Sequence, residues 1–133
     1  MKGMTDRLNG ITSQIINAAI EVHRELGPGL LESAYQTCLA FEIEQKHLMV
    51  ERQVALPLVY RGIRMDCGYR LDLVVENAVI VEVKTVERFE PVHTAQLLSY
   101  LRISGHKIGL LLNFHVKWLT DQGIKRVVNG FPE

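Results

Sequence analysis

The stretch Ala78-Val79-Ile80-Val81-Glu82-Val83-Lys84 constrains the fold more than any other part of the chain. Its opening run is apolar and largely β-branched, which reads as a strand buried on both faces between layers of helices. Glu82 and Lys84 then interrupt it. They are two residues apart, so they point to the same face. A carboxylate and an ammonium near the end of a buried strand are costly unless they pair or bind something. A plain Glu–Lys ion pair where the strand emerges into solvent is one resolution, and a functional site is the other.

The rest of the chain is read around that strand. Met1 to Leu8 read as a loose start. Ile11, Ile15, Ala18, Ala19, Val22 and Leu26 recur at helical spacing, and Gly27-Pro28-Gly29 stops that helix. A second helix follows over residues 30–46, with Leu31, Ala34, Tyr35, Cys38, Leu39 and Ile43 as its apolar stripe. Residues 49–60 read as a long strand interrupted at Pro57, which points to an edge or a bulge. Arg61-Gly62 turns into a second strand over 63–75, with a break at Gly68, and Glu76-Asn77-Ala78 returns the chain into the opening strand as a meander. Pro91 starts a helix that runs to Ser104, with Gly105 as its stop. The apolar run Ile108–Phe114 is a buried strand reached by a crossover, hence parallel to the 79–84 strand. A polar turn at Asp121-Gln122-Gly123 leads to a last strand, Ile124–Val128. The order is α-α-β-β-β-α-β-β. The expected architecture is an α/β three-layer sandwich with a mixed sheet, in one domain spanning residues 1–133.

Register decides whether a site exists. If Val75 pairs with Val79 across a three-residue loop, Asp72 falls opposite Glu82 on one face, with Cβ atoms roughly 5 Å apart. A two-residue turn would send the two carboxylates to opposite faces. Facing carboxylates repel, and a divalent cation between them removes the repulsion. Hard oxygen donors with room for waters suit Mg²⁺ or Mn²⁺. Lys84 would then hold a phosphate oxygen or an attacking hydroxide. Together these groups are suited to metal-assisted phosphodiester hydrolysis. His93, Gln96 and Tyr100 share one face of the following helix. Gln96 and Tyr100 are suited to orient the lysine, a water or a phosphate. On that helix Leu97, Leu98, Leu101 and Ile103 form the core stripe. Glu32 offers a third carboxylate, or simply an acidic residue favoured near a helix N-terminus.

These residues resemble the signature of the GxxExxY proteins, small members of the PD-(D/E)XK nuclease-like superfamily. The matching pieces are Gly29-Leu-Leu-Glu32-Ser-Ala-Tyr35, Gly68-Tyr-Arg-Leu-Asp72, Glu82-Val-Lys84, Gln96-Leu-Leu-Ser-Tyr100, Gly109-Leu-Leu-Leu-Asn113-Phe114 and Gly123-Ile-Lys-Arg126-Val-Val. The pieces occur in order, and the resemblance covers residues 11–128. The arrangement is similar to that of RecB-like nucleases and implies a restriction-endonuclease-like αβββαβ core preceded by an extra N-terminal helix. The resemblance implies Asp72 and Glu82 as metal ligands with the Val83 carbonyl as a third, and Lys84 as the catalytic lysine. It also implies Glu32 as the additional acidic residue and Gln96 and Tyr100 as the supporting pair. The implied partner is nucleic acid, DNA ahead of RNA.

Composition narrows the alternatives. Hydrophobic residues make up 47% of the 133 and charged residues 23%, enough for a packed core. With 15 basic and 15 acidic residues, the chain does not grip nucleic acid by bulk charge. That balance also fits a non-catalytic binding module, a hydrolase of a small phosphorylated molecule, or a nuclease that works as a homodimer or with a protein partner. Cys38 and Cys67 read as reduced thiols of a cytoplasmic protein, and no apolar run approaches the roughly 18 residues of a membrane span. His23, His47, His106 and His115 show no metal-ligand spacing. Lys125 and Arg126 are candidates to touch a nucleic-acid backbone but read first as charges guarding a strand edge. Phe89 and Trp118 are candidate base-stacking aromatics, with Trp118 expected to pack against the sheet.

Overall fold

A computed structural model describes residues 2–130, with the side chain of Lys2 left out. Helix α1 (Lys2–Leu26) and helix α2 (Glu32–Gln45) are joined by the Gly27-Pro28-Gly29 corner. Gly27 (φ 66°) takes the left-handed conformation that ends α1, its amide donating to His23 O at 2.8 Å. The tyrosine hydroxyl of Tyr35 donates to Gly27 O and accepts from Leu30 N, so α2 braces the corner that precedes it. The loose start expected before Leu8 is instead helix, because Leu8 itself is buried and extends the apolar face of α1 by a turn.

Strands β1 (Val50–Ala55), β4 (Arg70–Val75), β5 (Val79–Lys84), β6 (Ile108–Asn113) and β7 (Ile124–Val128) form one sheet in the order β1-β4-β5-β6-β7. β5 and β6 are parallel, and the other neighbours are antiparallel. Helix α3 (Pro91–Ser104) makes the crossover and ends at Gly105 (φ 82°). Helices α1 and α2 cover one face of the sheet, and α3 covers the other. This is the three-layer sandwich expected from the sequence. Every residue of β6 is buried, and each fully buried leucine there contributes about 1.5–3 kcal/mol.

The meander differs in detail. The two long strands break at Pro57 and at Asp66-Cys67-Gly68. Their outer parts form a separate hairpin of β2 (Leu58–Tyr60) and β3 (Ile63–Met65), and residues 59–70 are all exposed. A proline has no amide for the ladder, so the pairing cannot run through it. The turn at Asp121 holds a short helix α4 (Leu119–Gln122). Leu31 and Ile103, expected on apolar stripes, are exposed. Leu31 sits before α2 begins, and Ile103 lies on the solvent side of α3. Among the described residues no helix is long and apolar enough to cross a membrane. Cys38 and Cys67 are free thiols.

Candidate functional site

The site is built at the end of the β4–β5 hairpin farthest from its turn. In that turn Glu76 (φ 55°) and Asn77 (φ 48°) are both left-handed, and Ala78 N donates to Val75 O at 3.0 Å. Two left-handed central residues match the strand twist. Glu76 Oε2 also accepts from Met49 N, pinning the turn to the start of β1. Val75 therefore pairs with Val79, Val74 with Ile80 and Leu73 with Val81, the register that sets Asp72 against Glu82.

At that next position the ladder stops and side chains replace it. Asp72 N donates to Glu82 Oε2 at 2.8 Å, and Val83 N donates to Asp72 Oδ2 at 2.8 Å. The amide and carbonyl of a strand residue project to the same side, so the Val83 carbonyl also faces the opened gap. On the other side of β4 the ladder skips as well: Arg52 pairs with Leu73 and Val54 with Leu71, but Gln53 and Asp72 do not pair. Gln53 (φ 51°) is left-handed, a strained state for this residue. The faces invert across this point. Leu73 and Val75 pack under α1 and α2, whereas Leu71 packs under α3. In β1, Val50 and Val54 divide the same way. Asp72 thus sits at a pivot where both its neighbours have released it.

Burial first, then the Asp72 charge beside it, pushes the Glu82 carboxyl up to about 8. Burial also raises Asp72, against the pull of the Val83 amide and Lys84. Lys84 and Glu82 do not form an ion pair. Lys84 Nζ instead lies 3.4 Å from Gln96 Oε1 on α3. Glu32, on the first turn of α2, accepts from Thr85 N at 3.2 Å, and its charge reaches both Asp72 and Glu82. Burial, followed by the Glu82 charge, raises the Tyr100 phenol. The structure therefore gathers Asp72, Glu82, Val83, Lys84, Gln96, Tyr100 and Glu32 at one end of the sheet. His93, on the Gln96 face, is used locally: Nδ1 accepts from Glu90 N at 2.8 Å in a capping box.

The donor set fits a hard divalent cation. Half-buried Asp72 and buried Glu82 are adjacent carboxylates, each with one oxygen held by a backbone amide and one left over for a cation. Mg²⁺ is commonly held by one or two carboxylates, with waters and substrate phosphate completing its shell. Among the described residues no three His, Cys, Asp or Glu side chains converge as a metal cage, so Glu32 stands outside the Asp72–Glu82 pair.

Other residues of the site carried little sequence signal. Tyr69 meets Tyr100 edge-on at 5.9 Å. Buried Gln36, one helical turn after Glu32, accepts from Gln53 Nε2 at 2.8 Å. Fully buried Asn113 holds the loop after Lys84: Oδ1 accepts from Val86 N and His115 N, and Nδ2 donates to Val86 O. A polar residue ending an all-apolar strand was the available signal for Asn113. Trp118 does not pack against the sheet; it is 61% exposed, at the extended N-cap position before α4.

The family model for the PD-(D/E)XK nuclease superfamily matches residues 9–127. No curated protein and no solved structure matches the chain.

Proposed function

The chain belongs to the PD-(D/E)XK nuclease superfamily, and from that premise we propose that it is a metal-dependent nuclease that hydrolyses phosphodiester bonds of nucleic acid, DNA ahead of RNA. Within the superfamily we read it as a GxxExxY protein, on the resemblance of Gly29-Leu-Leu-Glu32-Ser-Ala-Tyr35 to that signature. The observation that carries the reading is the Asp72–Glu82 pair: a half-buried and a buried carboxylate set against each other in a strand break, with a lysine beside them. Such a pair is poorly stable without a cation.

Asp72, Glu82 and the Val83 carbonyl would hold Mg²⁺ or Mn²⁺. When bound, the ion neutralises phosphate charge and lowers the pKa of a water. Lys84 binds a non-bridging phosphate oxygen and stabilises the negative charge that grows as water oxygen bonds to phosphorus and the ester oxygen leaves. Gln96 orients Lys84. Tyr100 closes the α3 side and keeps bulk water from the pair. Glu32 fixes Thr85, and with it the direction of Lys84.

The test is cleavage of single- and double-stranded DNA and RNA with Mg²⁺ or Mn²⁺, comparing wild type with Lys84→Ala and Glu82→Ala. Both variants are expected to lose activity by about 10²-fold or more. Equal activity in all three proteins would overturn the assignment. Metal and nucleic-acid binding without cleavage by the wild type would make this a binding module.

A further inference from the structure

The chain leaving β6 passes Lys84 and then borders a second recess at the same end of the sheet. Phe114 N donates to Lys84 O at 3.0 Å, and the Phe114 ring stacks on Tyr35 with centroids 4.6 Å apart. His23 Nε2 and Val116 O lie 2.7 Å apart, which ties this segment to α1. Beyond it, Lys117, Trp118 and Leu119 face Ile20, His23 and Arg24 across a cavity of about 380 Å³. That volume is in the range of small-ligand sites.

The lining is one-sided in charge. Arg24 and Lys117 contribute to it, and no acidic side chain does. Arg24 also meets Glu21, outside the cavity, at 2.7 Å. Trp118 is 61% exposed, with Lys117 Nζ 5.7 Å from its ring centroid. An exposed indole costs apolar surface in water, and one beside cations at a hollow is suited to receive a flat, anionic ligand. Trp118 is four residues beyond Phe114, so its backbone lies within about 14 Å of the Lys84 carbonyl's partner. That is at most about four stacked nucleotides.

We propose that this recess is a subsite for single-stranded nucleic acid. A base of the strand stacks on Trp118, and its phosphates meet Lys117 and Arg24. The choice of ligand rests on the nuclease reading, but the subsite is tested without catalysis. Trp118 is the only tryptophan in the chain, so fluorescence excited selectively at tryptophan reports this site and not the four tyrosines.

The experiment titrates wild type in EDTA, and Lys84→Ala, with a short oligothymidylate and with an abasic oligonucleotide of equal length. We expect saturable quenching by the thymine strand and little by the abasic one. In labelled-strand anisotropy, Trp118→Ala is expected to weaken binding about tenfold or more, while Trp118→Phe keeps most of the affinity. Lys117→Ala is expected to flatten the salt dependence by about one counterion. Trp118 is exposed and makes no side-chain cap bond to α4, so its substitution is expected to leave the fold intact, which an unchanged circular dichroism spectrum checks. Absence of quenching, or unchanged affinity in Trp118→Ala, overturns the subsite. Equal quenching by polyglutamate also overturns it, in favour of an acidic protein segment. Quenching without cleavage by the wild type leaves the subsite standing and sinks the nuclease reading; cleavage without quenching does the reverse.

Discussion

Asp72 and Glu82 hold one another across a break in the sheet. The amide of Asp72 donates to Glu82 Oε2, while Asp72 Oδ2 takes the amide of Val83, each at 2.8 Å. The two carboxylates thus supply the backbone pairing that the strands have given up. Each keeps an oxygen for something else.

This arrangement makes the metal-free protein sensitive to pH. Glu82 titrates near 8 in the folded state against 4.5 when unfolded, and Asp72 shifts the same way. Between pH 4.5 and 8 the folded state therefore holds a proton that the unfolded chain has released. Stability falls as pH rises through that window, by on the order of a few kcal/mol. The cost is absent below 4.5 and complete above 8. Glu82→Gln removes the ionisation, so thermal unfolding in EDTA is expected to show a smaller drop in Tm from pH 5 to pH 9 than in wild type. Parallel Tm profiles would contradict this.

Metal binding should follow the opposite course. A cation at the pair competes with the proton on Glu82, so Mg²⁺ affinity is expected to rise from pH 5.5 to 8.5, with proton release. Calorimetry in buffers of different ionisation enthalpy measures both. Asp72→Asn is expected to abolish binding. Affinity that is flat with pH would mean that the ion sits elsewhere.

How much of this was legible in the sequence depended on whether a rule of spacing applied. The odd-length loop at Glu76-Asn77-Ala78 fixed the Asp72–Glu82 meeting, because strand alternation propagates from a turn. Alternation also hid the pivot. Leu71 and Leu73 should share a face, yet the left-handed Gln53 and the unpaired Asp72 invert it. Nothing in a period-two pattern announces a backbone flip. Pro57 marked a break but did not say that the outer hairpin would leave the sheet. The exposure of Trp118 was illegible because burial of a lone aromatic depends on where its segment turns.

Two glycines fix how closely elements approach. A Cβ on Gly109 would lie 2.9 Å from the side-chain methyls of Leu97 on α3, whereas one on Gly123 would lie 2.6 Å from the backbone oxygen of Asn113. Leu97 can shift, at the cost of moving the helix that bears Gln96; a carbonyl in a strand cannot. Gly109→Ala is expected to cost about 1–3 kcal/mol, and Gly123→Ala more. Urea unfolding measures both, and the reverse order would show that β6 yields more readily than α3.

Asn113 carries the loop that follows the catalytic lysine candidate. It is fully buried and makes three bonds: Val86 N to Oδ1 at 3.1 Å, His115 N to Oδ1 at 3.1 Å, and Nδ2 to Val86 O at 2.8 Å. Asn113→Ala strands all three backbone groups, and unfolding is expected to be easier by about 2–4 kcal/mol. Asn113→Asp keeps the shape but has no donor for Val86 O when ionised, and it buries a charge at the end of the sheet that already holds Asp72 and Glu82. It is therefore expected to be at least as unstable as Asn113→Ala at pH 8. At pH 5 a protonated carboxyl can donate to Val86 O, so part of the stability returns. Asn113→Ala, with nothing to protonate there, shows no such recovery. Denaturant titrations of both variants at the two pH values separate a hydrogen-bond role from simple packing, because loss of volume alone would leave Asn113→Asp close to wild type throughout.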